Sequence, residues 1–459
     1  MTNKLSSLDP AVINKYGVYA FDYIEYPHKS FWSNDFGDAA FRGALVESFP
    51  RGGGASTALY VHIPFCPQKC SFCICHADVT SDHGRIRRYL TDSLYPELKL
   101  LSDFISDCGL APGIREIYVG GGSPTMLEEK DFEGLLERIR PLAPPENIAD
   151  FNIEVDPRRV PPERMSFYIS RGVNRMSFGI QDFDPAVQRA VNRIQPPGLI
   201  EKLLTPDVRA KLESINFDVL CGLPGQTEAG IVVTMKKVVE LSPDRISFAF
   251  MHYAPKNAKH QLMMKVEDIP DFFTKRKLFA AAIEVIEDAG YVRTGFEHFA
   301  KAHDAVAMAV AAGRATYNSL GATSGRSADM LGVGRHSYSA VGDYYFQNVY
   351  EQEKYESELR LSKFPKFRGF RLNADDKIRR NVIKNLRTYF YIDIAEEEKN
   401  SGVDFARYFA KELAELGGFA SDGLLEMSPG RITLSEIGKY FAPQVCRVFD
   451  KYAASGVDK

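Results

Sequence analysis

The chain has 459 residues, 45% of them hydrophobic and 25% charged, with a formal net charge of −3. That is the balance of a soluble globular protein with about three domain-sized units, and it excludes a surface that draws in nucleic acid or an anionic membrane as a whole. No apolar run reaches the roughly 18 residues of a membrane-spanning helix and the N-terminus lacks a signal-peptide core, so the expected location is cytoplasmic.

Residues 1–56 read as an N-terminal extension or lid, rich in rings: Tyr16, Tyr19, Phe21, Tyr23, Tyr26, Phe31 and Trp32. Such rings pack a segment onto a larger body. Arg51 to Gly54 reads as a flexible joint. From residue 57 strands and helices alternate. The expected strands are Ala58–Phe65, Glu116–Val119, Asp150–Val155, Arg175–Ile180, Ile215–Leu220 and Arg245–Phe250. They are short and apolar, as strands buried on both faces should be. Helical patterns lie at Arg85–Phe104, Glu128–Arg140, Pro162–Ser170, Pro185–Asn192 and Glu228–Glu240.

Strand–helix repetition implies a parallel sheet, here an incomplete barrel over 57–270. Ligands of such folds sit beyond the carboxyl ends of the strands, so the polar residues that matter are expected just after each one. Polar signals do follow: 120-GGGSPT-125, 154-EVDPR-158, 179-GIQDF-183, Asp218 with 222-GLPGQT-227, and 251-MHYAP-255. A barrel-flanking α+β segment is expected over 271–360, with a helix at Phe272–Ala289 and a strand over 291–300. A mostly helical domain follows over 361–459. Its end, 420–441, reads as a two-strand ribbon with a Pro-Gly turn and then a helix, like a winged-helix tail. The tail lacks a basic stripe, so no nucleic-acid partner is expected.

The strongest local signal is 60-YVHIPFCPQKCSFCIC-75, with Cys66, Cys70, Cys73 and Cys75 in ten residues. Seven cysteines, odd in number and clustered, do not make a disulfide framework; a cluster favours metal. Thiolates suit zinc, copper(I) or iron–sulfur clusters. Zinc usually takes two Cys-x2-Cys knuckles or histidines, and no second knuckle exists here. Three thiolates on one loop can cap three irons of a 4Fe-4S cube. Cys75 is either a fourth ligand or a nearby reactive thiol, and His76 a polar neighbour. Cys108, Cys221 and Cys446 read as core residues.

This loop resembles the signature of the radical SAM superfamily. YVHIPFC, CSFCIC, GGGSPT, IEVDPR, GIQDF with VQRAVNR, GLPGQT, GFEHFA and LGVG together resemble oxygen-independent coproporphyrinogen III oxidases, in order and over nearly the whole chain. The resemblance implies a partial (β/α)6 barrel, a 4Fe-4S cluster and two S-adenosylmethionine molecules. By position, Cys66, Cys70 and Cys73 would ligate the cluster. Tyr60, Gly121 and Glu154 would hold the first S-adenosylmethionine. Phe72, Gly122, Ser123, Gln181, Arg193, Asp218, His252 and Tyr338 would hold the second. The bland reading of Glu154, Asp218 and Arg193 is a set of ion pairs at the barrel mouth.

The sequence also departs from that family. Coproporphyrinogen is a tetracarboxylate and needs cations. The family's RYTSYPT-like segment, whose arginine binds a propionate, reads 22-DYIEYPH-28, with Asp22 for the arginine and Glu25 as a second acid. An acid there repels a carboxylate. The family's YAHLP-like turn has His252 at its alanine, its NFQGY-like stretch reads 318-NSLGA-322, Tyr338 replaces an isoleucine and Glu297 an aspartate. These changes lead us to expect a class C radical SAM methyltransferase, moving a methyl group to an sp2 ring carbon of a planar aromatic or quinone substrate such as menaquinone, with peripheral membrane contact if the substrate is a quinone. The alternatives are a coproporphyrinogen III dehydrogenase and a heme chaperone. A low-potential donor such as flavodoxin or ferredoxin is implied. Methyl transfer would need a base; His252, Tyr253, His298, His336 and Cys75 are the candidates.

Overall fold

In the computed structural model, residues 10–17, 20, 23–51, 54–318 and 320–453 are described; Tyr19, Phe21, Asp22 and the middle of the glycine joint lie outside them. Six parallel strands run in chain order: β1 Thr57–Ile63, β2 Ile114–Gly121, β3 Asp150–Val155, β4 Arg175–Gln181, β5 Ser214–Cys221 and β6 Arg245–Phe250. Each pairs in parallel with the next. The helices between them include α1 Tyr95–Asp107, α2 Glu129–Ile139, α3 Glu163–Ser170, α4 Pro185–Ala190 and α5 Glu228–Glu240. In α2 the residues Phe132, Leu135 and Ile139 recur at helical spacing and are buried against the sheet.

The expected single helix from Arg85 is broken. An α-helical stretch, His83–Tyr89, passes through a π turn at Leu90–Leu94 before α1 begins. Pro96 is the physical reason: it has no N–H to continue the i→i−4 ladder, and the turn before it widens.

The strands are not buried apolar on both faces, as expected, but alternate. On β5, Ile215, Phe217 and Val219 are buried at 2%, 0% and 1% exposure, whereas Ser214, Asn216 and Asp218 line an inner cavity. On β3, Phe151, Ile153 and Val155 are buried in the core, and Asp150, Asn152 and Glu154 face the cavity. A period of two places one set against the helices and the other inside the barrel.

The sheet reaches twelve strands, because later segments extend both edges. After α6 (Phe272–Asp288), the expected strand at 291–300 is a hairpin, β7 Tyr291–Gly295 and β8 His298–Lys301, and β8 pairs antiparallel with β6. On the other side β9 (Asp329–Val333) pairs in parallel with β1. The antiparallel strands β10 Tyr338–Val341, β11 Tyr344–Asn348 and β12 Lys366–Arg371 continue from it.

The C-terminal part holds α7 (Ala374–Tyr389), and its ribbon has three strands rather than two: β13 Tyr391–Asp393, β14 Leu425–Ser428 and β15 Arg431–Leu434, ordered β13-β15-β14. A helix at Ala442–Val448 follows it. The described N-terminal rings pack as expected. Tyr16 lies on Phe419 and donates to Asp422 at 2.5 Å, Tyr26 and Phe31 meet Tyr452, and Trp32 stacks on Tyr345 at 5.2 Å. No described helix is long and apolar enough to cross a membrane.

Candidate active site

The cysteine loop leaves β1 at the carboxyl end of the barrel. Backbone bonds tie it to its neighbours: Ser71 N–H donates to Val191 O at 3.0 Å, and Cys73 N–H to Cys70 O at 3.2 Å. Gln261 donates to Phe72 O at 2.8 Å, and His260 meets Cys73 O at 2.6 Å. Each of the first three sulfurs has a donor. Ser123 Oγ lies 3.6 Å from Cys66, Arg193 and Arg158 reach Cys70 at 3.5 and 3.6 Å, and Cys75 N–H reaches Cys73 at 3.4 Å. Donors aimed at sulfur favour thiolates and tune a cluster.

Among the described residues no three His, Cys, Asp or Glu side chains close on one ion position. The hydrogen bond with Cys75 lowers the Cys73 thiol's pKa, and the same bond raises that of Cys75. The shared proton therefore sits on Cys75, leaving Cys73 as the thiolate. Burial pushes Cys66 up to about 11. Cys221 and Cys446 are buried and Cys108 half-buried, as core residues should be.

The glycine turn after β2 carries Glu154 against it. Gly121 N–H donates to Glu154 Oε2 at 2.9 Å. Gly121 has φ +114°, and a Cβ there would lie 2.8 Å from the His62 ring; at Gly122 it would lie 2.4 Å from Phe65 O. The glycines are thus demanded by the chain's own close packing. Burial first, then the charge of Asp218, raises Glu154 to about 7. Asp218 is raised by burial and accepts from Ser177 and Asn216 at 2.7 and 2.8 Å. Tyr60 donates to or accepts from His62 Nδ1 at 2.8 Å, beneath the turn.

A cavity of about 540 Å³ lies between the loop and the barrel interior. Phe72, Cys73, Cys75, Glu154, Gln181, Asp218 and His252 line it; Tyr60, Gly121, Gly122, Ser123 and Arg193 do not, and stand around it. Gln181 reaches the cavity through a bulge at the end of β4 with φ +64°, a conformation that costs about 1–3 kcal/mol. Arg193 is buried, donates to Gly179 O at 2.7 Å and lies 3.6 Å from Asp156.

Tyr338 is not at this cavity. It stacks near Trp32 at 5.8 Å and lines a neighbouring cavity of about 770 Å³. Two of the base candidates do not reach the cavity, and a third is held neutral at its wall. Tyr253 packs against the Val187 and Met251 cluster. His336 stacks on His76 at 3.6 Å, away from both cavities, and burial lowers it to about 2. His298 lines the cavity between Ser247 and Tyr317, both at 3.3 Å, and burial lowers it to about 3, so it is neutral.

Sequence reading missed the polar residues within the strands. Asn152, Ser177, Asn216 and Ser247 line the cavity because they alternate with the core positions. It also missed Arg387 of α7, which donates to Glu297 at 3.1 Å and Tyr317 at 2.6 Å. The period-two pattern was the available signal for the first group. Nothing local announced Arg387, which arrives by tertiary packing.

Fold and site together define a radical SAM enzyme. The profile of the radical SAM superfamily matches residues 60–238, and that of the HemN C-terminal domain matches residues 372–441. The chain is 34% identical to the oxygen-independent coproporphyrinogen III oxidase of Salmonella typhimurium, over 98% of this chain and 97% of the relative. It is 32% identical to that of Pseudomonas aeruginosa, over 97% and 96%. The solved structure of the Escherichia coli coproporphyrinogen III oxidase, described as a radical SAM enzyme, matches with a TM-score of 0.86 at 33% identity, covering 97% of this chain and 99% of that one.

The chain belongs to the oxygen-independent coproporphyrinogen III oxidase family. Its cofactors are a 4Fe-4S cluster and S-adenosylmethionine. The expectation of a menaquinone-directed methyltransferase is overturned, since the relatives that span the whole chain carry the oxidase name. That expectation leaned on acids at positions 22 and 25. Asp22 lies outside the described residues, and Glu25 is half-buried and adds to the charge environment of Arg368.

Proposed function

We propose that this chain oxidises coproporphyrinogen III, with Cys66, Cys70 and Cys73 as the cluster ligands. The observation that carries the reading is likeness along the whole length to oxidases of that name, N-terminal segment and C-terminal domain included. When bound, the reduced cluster and S-adenosylmethionine supply a carbon-centred radical able to take a hydrogen atom from the substrate.

The chain's residues hold and shield. Glu154, buried and raised to about 7, makes no ion pair among the described residues and suits the α-ammonium of S-adenosylmethionine. Arg193 suits a carboxylate, and its Nε is buried without a partner. Gln181, Asp218 and Phe72 face the cavity where the second molecule would lie. His252 lines the same space. His298 is neutral and held between two hydroxyls, so it can orient a polar group without adding charge. Electrons would come from a low-potential donor, and the protein would work in the cytosol.

The test is an anaerobic assay of the reconstituted protein. Consumption of coproporphyrinogen III that requires both S-adenosylmethionine and a reductant is expected, with no methyl label transferred, together with rescue of a heme-deficient host grown without oxygen. No consumption and no rescue would refute the reading.

A further inference from the structure

Helix α7 carries Lys377, Arg380, Lys384 and Arg387, spaced three, four and three residues apart. At 3.6 residues per turn these lie on one face, and all four line the 770 Å³ cavity. Two of the charges are matched: Lys377 pairs with Asp343 at 2.8 Å and Arg387 with Glu297 at 3.1 Å. Arg380 and Lys384 make no ion pair with any described residue. Arg380 lies against the Tyr345 hydroxyl, and Lys384 is held below its ordinary pKa by burial and then by the like charge of Arg380.

The acids at this cavity relieve them only in part: Asp329 feels the charge of Arg380 but makes no ion pair with it. Asp343 is taken by Lys377, Glu397 accepts from Asn381 and Asn385, and Asp329 accepts from Gly342 N–H at 2.7 Å. Two neighbouring cations kept partly out of water without an ion-pair partner among the described residues cost stability, a cost an incoming anion reduces. The cavity is also continuous in its lining with the one at the cysteine loop: Ile24, Tyr317 and Asn318 border both. A molecule with its reacting carbon in the first cavity can extend an arm into the second.

We propose that Arg380 and Lys384 bind a carboxylate arm of the substrate. This rests on the reading of the substrate as a tetracarboxylate. It supplies, from the C-terminal domain, the cation that the sequence comparison sought at position 22.

The experiment uses the full chain and coproporphyrin III, the stable oxidised form of the substrate, titrated by its fluorescence. Arg380→Gln and Lys384→Gln each weaken binding about tenfold or more, as expected for a lost charge-assisted contact. The exposed Lys411→Gln does not, and the tetramethyl ester binds wild type and variants alike. In turnover the KM rises, while S-adenosylmethionine cleavage without substrate is unchanged.

Lys384→Gln also raises the Tm of the ligand-free protein, where a merely structural lysine would lower it. Wild-type affinity and KM in both variants would overturn the site even if the enzyme oxidises coproporphyrinogen. Charge-dependent binding without oxidation would keep the site and refute the activity. No binding of coproporphyrin III by the wild type would overturn both.

Discussion

At the scale of the residue, one pair within the cysteine loop divides by proton. Cys73 is the thiolate of its pair and Cys75 holds the proton. On the proposed ligand set, Cys66→Ser, Cys70→Ser and Cys73→Ser are expected to lose the cluster, seen as loss of bound iron and of its visible absorption. Cys75→Ser keeps both. Iron loss from the Cys75 variant equal to that from Cys73→Ser would show that the loop uses its cysteines differently. Glu154 gives a second test, in the apo protein. Burial raises it from 4.5 to about 7, so the fold favours its protonated form. Its contribution to stability is full below about pH 4.5, falls as pH rises, and is lost above about pH 7. The whole change is about 3 kcal/mol. Glu154→Gln cannot ionise, so its denaturation midpoint should fall less than that of the wild type between pH 5 and pH 8. Parallel pH profiles would mean that the carboxylate is not strained by burial.

At the scale of the element, the turn after β2 shows why a motif was legible while its reason was not. A glycine run after a strand can be read from sequence, and so can its place at the carboxyl end of a barrel. That Gly122 faces Phe65 O and Gly121 faces His62 depends on where β1 ends, which needs the folded sheet. Gly122→Ala places a methyl against backbone that cannot rotate away, and should cost about 3 kcal/mol or prevent folding. Gly134→Ala on α2 meets the far end of Tyr95 instead and should cost less; thermal unfolding of the two variants checks the order. The barrel strands were legible to within two residues because their apolar alternates are strong. The strands β9 to β12 were not, because each is short and takes its pairing from β1 or from its neighbours. The inward polar alternates were overlooked for a related reason: a run that is apolar on average hides a face that is not.

At the scale of the molecule, the C-terminal domain is more than a cover, because it reaches into the barrel. Phe296 N–H donates to Arg387 O at 3.0 Å, and the Arg387 side chain pairs with Glu297 beside β8. The N-terminal segment is clasped onto the same domain through Tyr16 and Asp422. The Arg387–Glu297 pair is nearly inaccessible to water, with side-chain exposures of 2% and 10%. Removing one partner leaves the other charge in a poorly solvating place, which costs about 3–5 kcal/mol, whereas removing both costs much less. Arg387→Met should therefore lower the unfolding midpoint strongly, and Glu297→Gln added to it should restore part of the loss. The coupling expected from the double-mutant cycle is about 1–3 kcal/mol. Additive losses would mean that the two domains are held by their apolar contacts and that this pair only fills space between them. A positive coupling would make the ion pair the joint through which a ligand on the cationic face of α7 is felt at the barrel, since Arg387 lines the larger cavity and donates to Tyr317, which borders both.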